Sequence, residues 1–201
     1  MTLVQTLERD DICPGTEDLF VKAITVQGGE AHIAGEKTSF ARIVMTGVDL
    51  KHLRLDDLVP RRQESAVLSL DAASALVAEL HGVVNEMVRS SRTPAVPATG
   101  TWSWSSAPPH AEELYVAQAN ANAVPVTAGV RPTVRVDFTG TLVRGLCLAE
   151  PPLCAKGAIF SGPRQVQALI SSLKKVVNSA LEKRRLDIYV SADAPLSAYG
   201  F

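Results

Sequence analysis

Hydrophobic and polar positions alternate strictly over residues 133–140. Val134, Val136 and Phe138 take one side of an extended chain, and Arg135, Asp137 and Thr139 take the other. The same pattern runs through 39–47, with Ala41, Ile43 and Met45 against Arg42, Val44 and Thr46. A period of two predicts strands with one buried and one wet face. Elsewhere the period changes: Leu76, Val77, Leu80, Val83, Val84, Met87 and Val88 recur at helical spacing, as do Leu169, Ile170, Leu173, Val176, Val177, Ala180 and Leu181. Each set forms a single apolar stripe on an amphipathic helix. Ser69 or Asp71 can cap the first helix, and Ser161-Gly162-Pro163 places a cap and an early-turn proline before the second. Lys183, Arg184 and Arg185 close the second helix, where its dipole favours positive charge. Further strands are expected over 19–26, over 31–34 after a turn at Gly28-Gly29, and over 114–119 and 124–128. Short strands are expected over 66–70 and 158–161 ahead of the helices, with one more over 187–191.

This order of elements occurs twice. Laid without gaps, 42–92 and 135–185 share 12 identities in 51 positions, among them Arg42 with Arg135, Thr46 with Thr139, Gly47 with Gly140, Leu80 with Leu173 and Asn85 with Asn178. Upstream, residues 17–21 match 112–116 at an offset longer by two. Two unrelated amphipathic helices could share leucines and valines, but not a strand, a loop and a helix in one order at nearly one spacing. The fold expected is α+β: a tandem duplication of a β-β-β-(loop)-β-α unit, with antiparallel sheet carrying both helices on one face about a pseudo-two-fold axis. The division is an N-terminal arm (1–16), a first repeat (17–92), a Pro/Ser/Trp linker (93–111), a second repeat (112–191) and a tail (192–201), the repeats packing as one body. Within the linker, Trp102 and Trp104 would share one side of an extended segment, and two indoles together call for a surface to cover them.

Composition removes several classes of function. Twenty basic against twenty-one acidic side chains leave a net charge of −1, which excludes holding nucleic acid or anionic lipid by bulk charge and leaves only a local basic patch. Apolar runs are interrupted well short of the roughly 20 residues that a membrane span needs, so no membrane partner is expected. The opening MTLVQTLERDD has no basic region ahead of an apolar block, and the chain reads as cytoplasmic, or as part of a virion if it is a coat protein. The three cysteines, Cys13, Cys147 and Cys154, lack metal-ligand spacing and read as buried, inert thiols; no cofactor is implied.

The candidate chemistry is sparse. Arg42, Thr46 and Lys51 recur as Arg135, Thr139 and Arg144, so an open sheet face would present guanidinium forks and hydroxyls twice, suited to an anion or a nucleic-acid backbone. The plain alternative is a strand face carrying polar residues for solvent. His110, Glu112 and Glu113 form the one local histidine–carboxylate cluster, without a further ligand or nucleophile in sequence reach. His81 and Glu79 read as a solvated helix face, and Lys174 and Lys175 add a basic run to the second helix. With no phosphate loop or nucleophile motif, the function expected is a non-enzymatic, self-associating structural or assembly protein, such as a coat or shell subunit of a virus-like or phage particle. It would be a homo-oligomer, with Trp102, Trp104, Tyr199 and Phe201 as candidate interface residues. The alternatives are a regulatory or adaptor module binding a small anion, peptide or protein partner between the repeats, and an enzyme with a site near His110 and Glu112.

Overall fold

A computed structural model of the chain describes residues 18–33, 35–49, 61–91, 98–105, 107–124 and 132–192. Strands β1 (Leu19–Ile33) and β2 (Glu36–Asp49) form a long antiparallel hairpin that turns at Gly35, whose φ of 87° lies in the left-handed region open to glycine. Strand β3 (Arg62–Ser69) pairs antiparallel with β2 and leads into helix α1 (Leu70–Ser91). A short strand β4 (Trp102–Trp104) precedes the antiparallel strands β5 (Leu114–Val124), β6 (Thr133–Leu142) and β7 (Cys154–Ser161). Helix α2 (Gly162–Ala192) follows.

Among the described residues the sheet has seven strands in the order β2-β3-β5-β6-β7-β1-β4, and β1 also pairs with β2. Six strands therefore close a circuit, with β4 added at the edge of β1. Two joints in it are parallel rather than the antiparallel arrangement expected: Ala66 to Leu68 pair with Leu114 to Val116, and Leu19 to Val21 pair with Ala158 to Phe160. The first is parallel because the chain leaves β3 through α1, the helical crossover that a parallel neighbour requires.

One core joins all six strands of the circuit to both helices. Val21, Ile43, Leu68, Val116, Val136 and Phe160 turn inward against Leu76, Leu80, Leu169 and Leu173. Both helices lie against this face, and α-helical starts form where the caps were expected: the Ser69 hydroxyl accepts from the Ala72 N–H at 3.1 Å, and the Gln165 side chain accepts from the Ser161 N–H at 2.7 Å.

Three expectations need correction. Gly28 and Gly29 do not turn the chain but lie inside β1, because a side chain at Gly28 would meet the Trp104 ring at 2.6 Å and one at Gly29 would meet Phe40 at 2.7 Å. Residues 187–191 are not a strand but continue α2, with no proline or glycine between Pro163 and Ala192 to break it. The outer face is not uniformly wet: Ile33, Phe40 and Val67 are buried there under Ala31, Tyr115 and Leu146.

Candidate functional site

Arg42 projects from β2 onto this outer face, yet it is 5% exposed. Its Nε donates to Glu113 Oε2 at 3.1 Å, one terminal nitrogen donates to the Pro108 carbonyl at 2.8 Å, and the other reaches Gln27 Oε1 at 3.3 Å. A guanidinium so enclosed, and already paired with a carboxylate, is not open to an outside anion, so its expected place on an open face is corrected. The cover is supplied by residues 107–113, which the circuit brings against β2 from far along the chain.

The other candidates on this face are distributed differently. Arg135 is half exposed and ion-paired with both Asp18 and Asp137. Arg144 bonds Glu112 at 2.7 Å on the surface. Thr46 and Thr139 are half-buried, and Lys51 lies outside the described residues. All three arginines of the expected basic face are thus matched to carboxylates. His110 and Glu112 stand in the turn before β5, where the His110 N–H donates to Glu113 Oε2 at 2.8 Å. Glu113, buried, organises this turn and Arg42 together. Among the described residues no group of three His, Cys, Asp or Glu side chains could hold a metal ion, and no helix is long and apolar enough to cross a membrane.

The two tryptophans do cover a surface. β4 runs parallel to β1, Trp102 to Trp104 against Val26 to Gly28, and the Val26 N–H donates to the Thr101 carbonyl while the Ser105 N–H donates to the Gly28 carbonyl. Trp104 packs on Gly28 and Val176, and the Lys183 ammonium sits 5.3 Å from its ring centre. Lys183 also reaches Glu30 at 3.2 Å. Burial raises the Glu30 carboxyl, but Lys183 and then Lys37 outweigh it and hold the group below the ordinary carboxylate range. Tyr199 and Phe201, the other expected interface residues, lie outside the described residues.

A groove lies between α1 and β5, with a volume of about 560 Å³. Glu79, Gly82, Val83 and Glu86 form its helix wall, and Asn120, Ala121, Asn122 and Asp137 form its sheet wall. Beyond Val116 no described strand pairs with this edge of β5. One of its amides, the Ala121 N–H, donates to Glu79 Oε2 at 2.9 Å. An open strand edge offers main-chain donors and acceptors to an extended peptide, and these carboxylates disfavour an anionic one.

Comparison with protein-family models, curated proteins and solved structures finds no match for this chain. Sequence reading placed Glu113 in a histidine–carboxylate cluster and Glu79 on a solvated helix face, and it missed their bonds to Arg42 and to the Ala121 N–H, partners distant in the chain. The available signal for the open edge was the run Ala117-Gln118-Ala119-Asn120-Ala121-Asn122-Ala123, small and polar by turns, with no lysine or proline to blunt pairing.

Between the helices, His81 stands beside Lys174. Burial first, and then the Lys174 charge, hold its imidazole below the ordinary histidine range, and its buried Nε2 has no hydrogen-bond partner. The cysteines also differ from expectation. Cys147 is exposed and free, while Cys154 is buried and disulfide-bonded to a partner outside the described residues.

Proposed function

We propose that the chain is a tandem duplication with a pseudo-two-fold axis, acting as a non-enzymatic, self-associating structural subunit of the coat or shell kind. The duplication is supported by matching registers. β1 and β5 each carry a bulge at the same place, after Val21 and after Val116, and each starts beside the last strand of the other half. Arg42 with Glu113 and Arg135 with Asp18 are ion pairs between equivalent positions. Gly47 lies against the Phe20 carbonyl as Gly140 lies against the Tyr115 carbonyl, both too close for a side chain.

Self-association rests on the loop between β6 and β7. Leu148 and Leu153 are 55% and 64% exposed there, with Pro151 and Pro152 between them. Apolar side chains exposed on one loop gain free energy by burial against a neighbour. Leu55, the sequence equivalent of Leu148, lies outside the described residues. Light scattering should give an assembled mass for the native chain and a monomer for Leu148→Ser/Leu153→Ser. A native chain that stays monomeric at high concentration overturns the proposal, and the ratio of absorbance at 260 and 280 nm reads any nucleic acid carried along.

A second reading is favoured by the groove between α1 and β5, which lies between the halves. There the protein would be an adaptor that takes an extended peptide with basic side chains beside Glu79, Glu86 and Asp137.

A further inference from the structure

The outer sides of the two helices carry charges at the same spacing and of opposite sign. In α1, Asp71 and Arg89 stand eighteen residues apart, five full turns, and so lie on one side of the helix. Leu80, midway between them, is two and a half turns from each and is fully buried, so both charges point away from the core. In α2, Arg164 and Glu182 are placed identically about the buried Leu173. Where α1 begins with an acid and ends with a base, α2 begins with a base and ends with an acid. All four side chains are exposed, and none makes an ion pair or hydrogen bond among the described residues. Arg42, Arg62, Arg135, Arg144, Lys156 and Lys183, by contrast, are each matched to a carboxylate.

The residues between these charges fit as well. Ala78 and Gly82 face outward from α1, and a side chain at Gly82 would meet nothing within 4 Å. At the same heights α2 carries Ser171 and Lys175, and the exposed Asn178 stands level with the exposed Asn85 of α1. We propose that the outer side of α1 docks, parallel and in register, against the outer side of α2 of a second copy of the chain. Asp71 then meets Arg164 of the next copy, Arg89 meets its Glu182, and Asn85 meets its Asn178. Lys175 of the next copy lies across Gly82 and reaches the exposed Glu86, one turn further on.

Charge selects this arrangement over its rivals. Turned antiparallel, the same two faces would set Asp71 against Glu182 and Arg89 against Arg164. Two copies of α2 laid antiparallel would match their ends but bring Lys175 within about one turn of its own copy. Because each copy offers α1 to one neighbour and α2 to another, the joint runs head to tail and propagates. Exposed ion pairs contribute little each, so the joint holds among copies that the Leu148 and Leu153 loop already brings together. In this it rests on the self-association reading.

Light scattering on the whole chain at low salt tests the proposal. Asp71→Arg/Arg89→Glu and Arg164→Asp/Glu182→Arg should each lose the native mass and stop at the same smaller unit. Combining all four changes restores the match with signs exchanged and should return the native mass. Salt at 1 M, where the screening length is about 3 Å, should reduce the native chain to the size of the double variants. Native mass in either double variant, or no recovery when the four changes are combined, overturns the assignment. A face that pairs antiparallel with its own copy keeps its match when both of its ends are reversed, and so would show itself by the first of these outcomes. If the double variants keep the native mass while Leu148→Ser/Leu153→Ser falls to a monomer, the helix contact is rejected and self-association stands. A native chain that stays monomeric removes both.

Discussion

The Arg42 guanidinium and the Glu113 carboxylate form a buried ion pair that ties β2 to the turn preceding β5, with side chains 6% and 9% exposed. The same Glu113 oxygen receives the His110 N–H. Removing one partner strands the other charge away from water. Arg42→Met should cost about 3–5 kcal/mol in chemical denaturation, and Arg42→Met/Glu113→Met should recover much of it. A single-variant cost below about 1 kcal/mol would mean that water reaches the pair.

Glu64 and Lys156 meet at 2.6 Å although β3 and β7 are not neighbours in the sheet. Both project inward from the closed circuit, and Arg62, itself paired with Asp49, also reaches Glu64. A double-mutant cycle with Glu64→Gln and Lys156→Met should give a coupling of about 0.5–3 kcal/mol. Additive costs would show that the two charges act independently.

His81 fixes the sign of a pH effect. Its folded pKa lies below 6.5, so between the two values the unfolded chain binds the extra proton. Stability should therefore fall as pH drops below about 6.5 and level off below the folded pKa. His81→Gln should flatten that part of a Tm-against-pH curve. The imidazole resonance should titrate below 6.5 by NMR; a midpoint at or above that value would contradict the burial argument.

Gly28→Val places methyl groups where the Trp104 ring and Val176 already stand, at 2.6 Å and 2.8 Å from the first added carbon. Overpacking of this kind costs about 1–3 kcal/mol. The strand β4 should lift from β1, with a red shift in tryptophan emission. Gly82→Ala, which meets nothing within 4 Å, is the matched control and should leave emission unchanged.

What was legible in the sequence is what local periodicity decides. The stripes at Leu76 and Leu169, the cap at Ser69, and the alternation over β2 and β6 all form as read, because each depends on neighbours within a few residues. Gly28-Gly29 misled because glycine serves both turns and close contacts, and only the position of Trp104, 76 residues away, distinguishes the two. Arg42 was misplaced for a related reason. Alternation correctly put it opposite Ile43, but the segment that buries it arrives through the closure of the sheet. The parallel joints were likewise beyond reach, since each pairs only three residues.

The contact between Glu64 and Lys156 has a consequence for how such a molecule can evolve. In the proposed duplication these residues are equivalent by sheet register, Glu64 standing opposite Met45 as Lys156 stands opposite Phe138, and His81 and Lys174 are equivalent by sequence, so each pair straddles the pseudo-axis. In a dimer of identical subunits a residue on the axis faces its own copy: glutamate would confront glutamate, and lysine would confront lysine. Writing both halves into one polypeptide releases that constraint, because each copy can mutate alone. A repulsive self-encounter can then become an attractive one, and the two halves acquire a handed fit that no exchange of identical subunits could preserve.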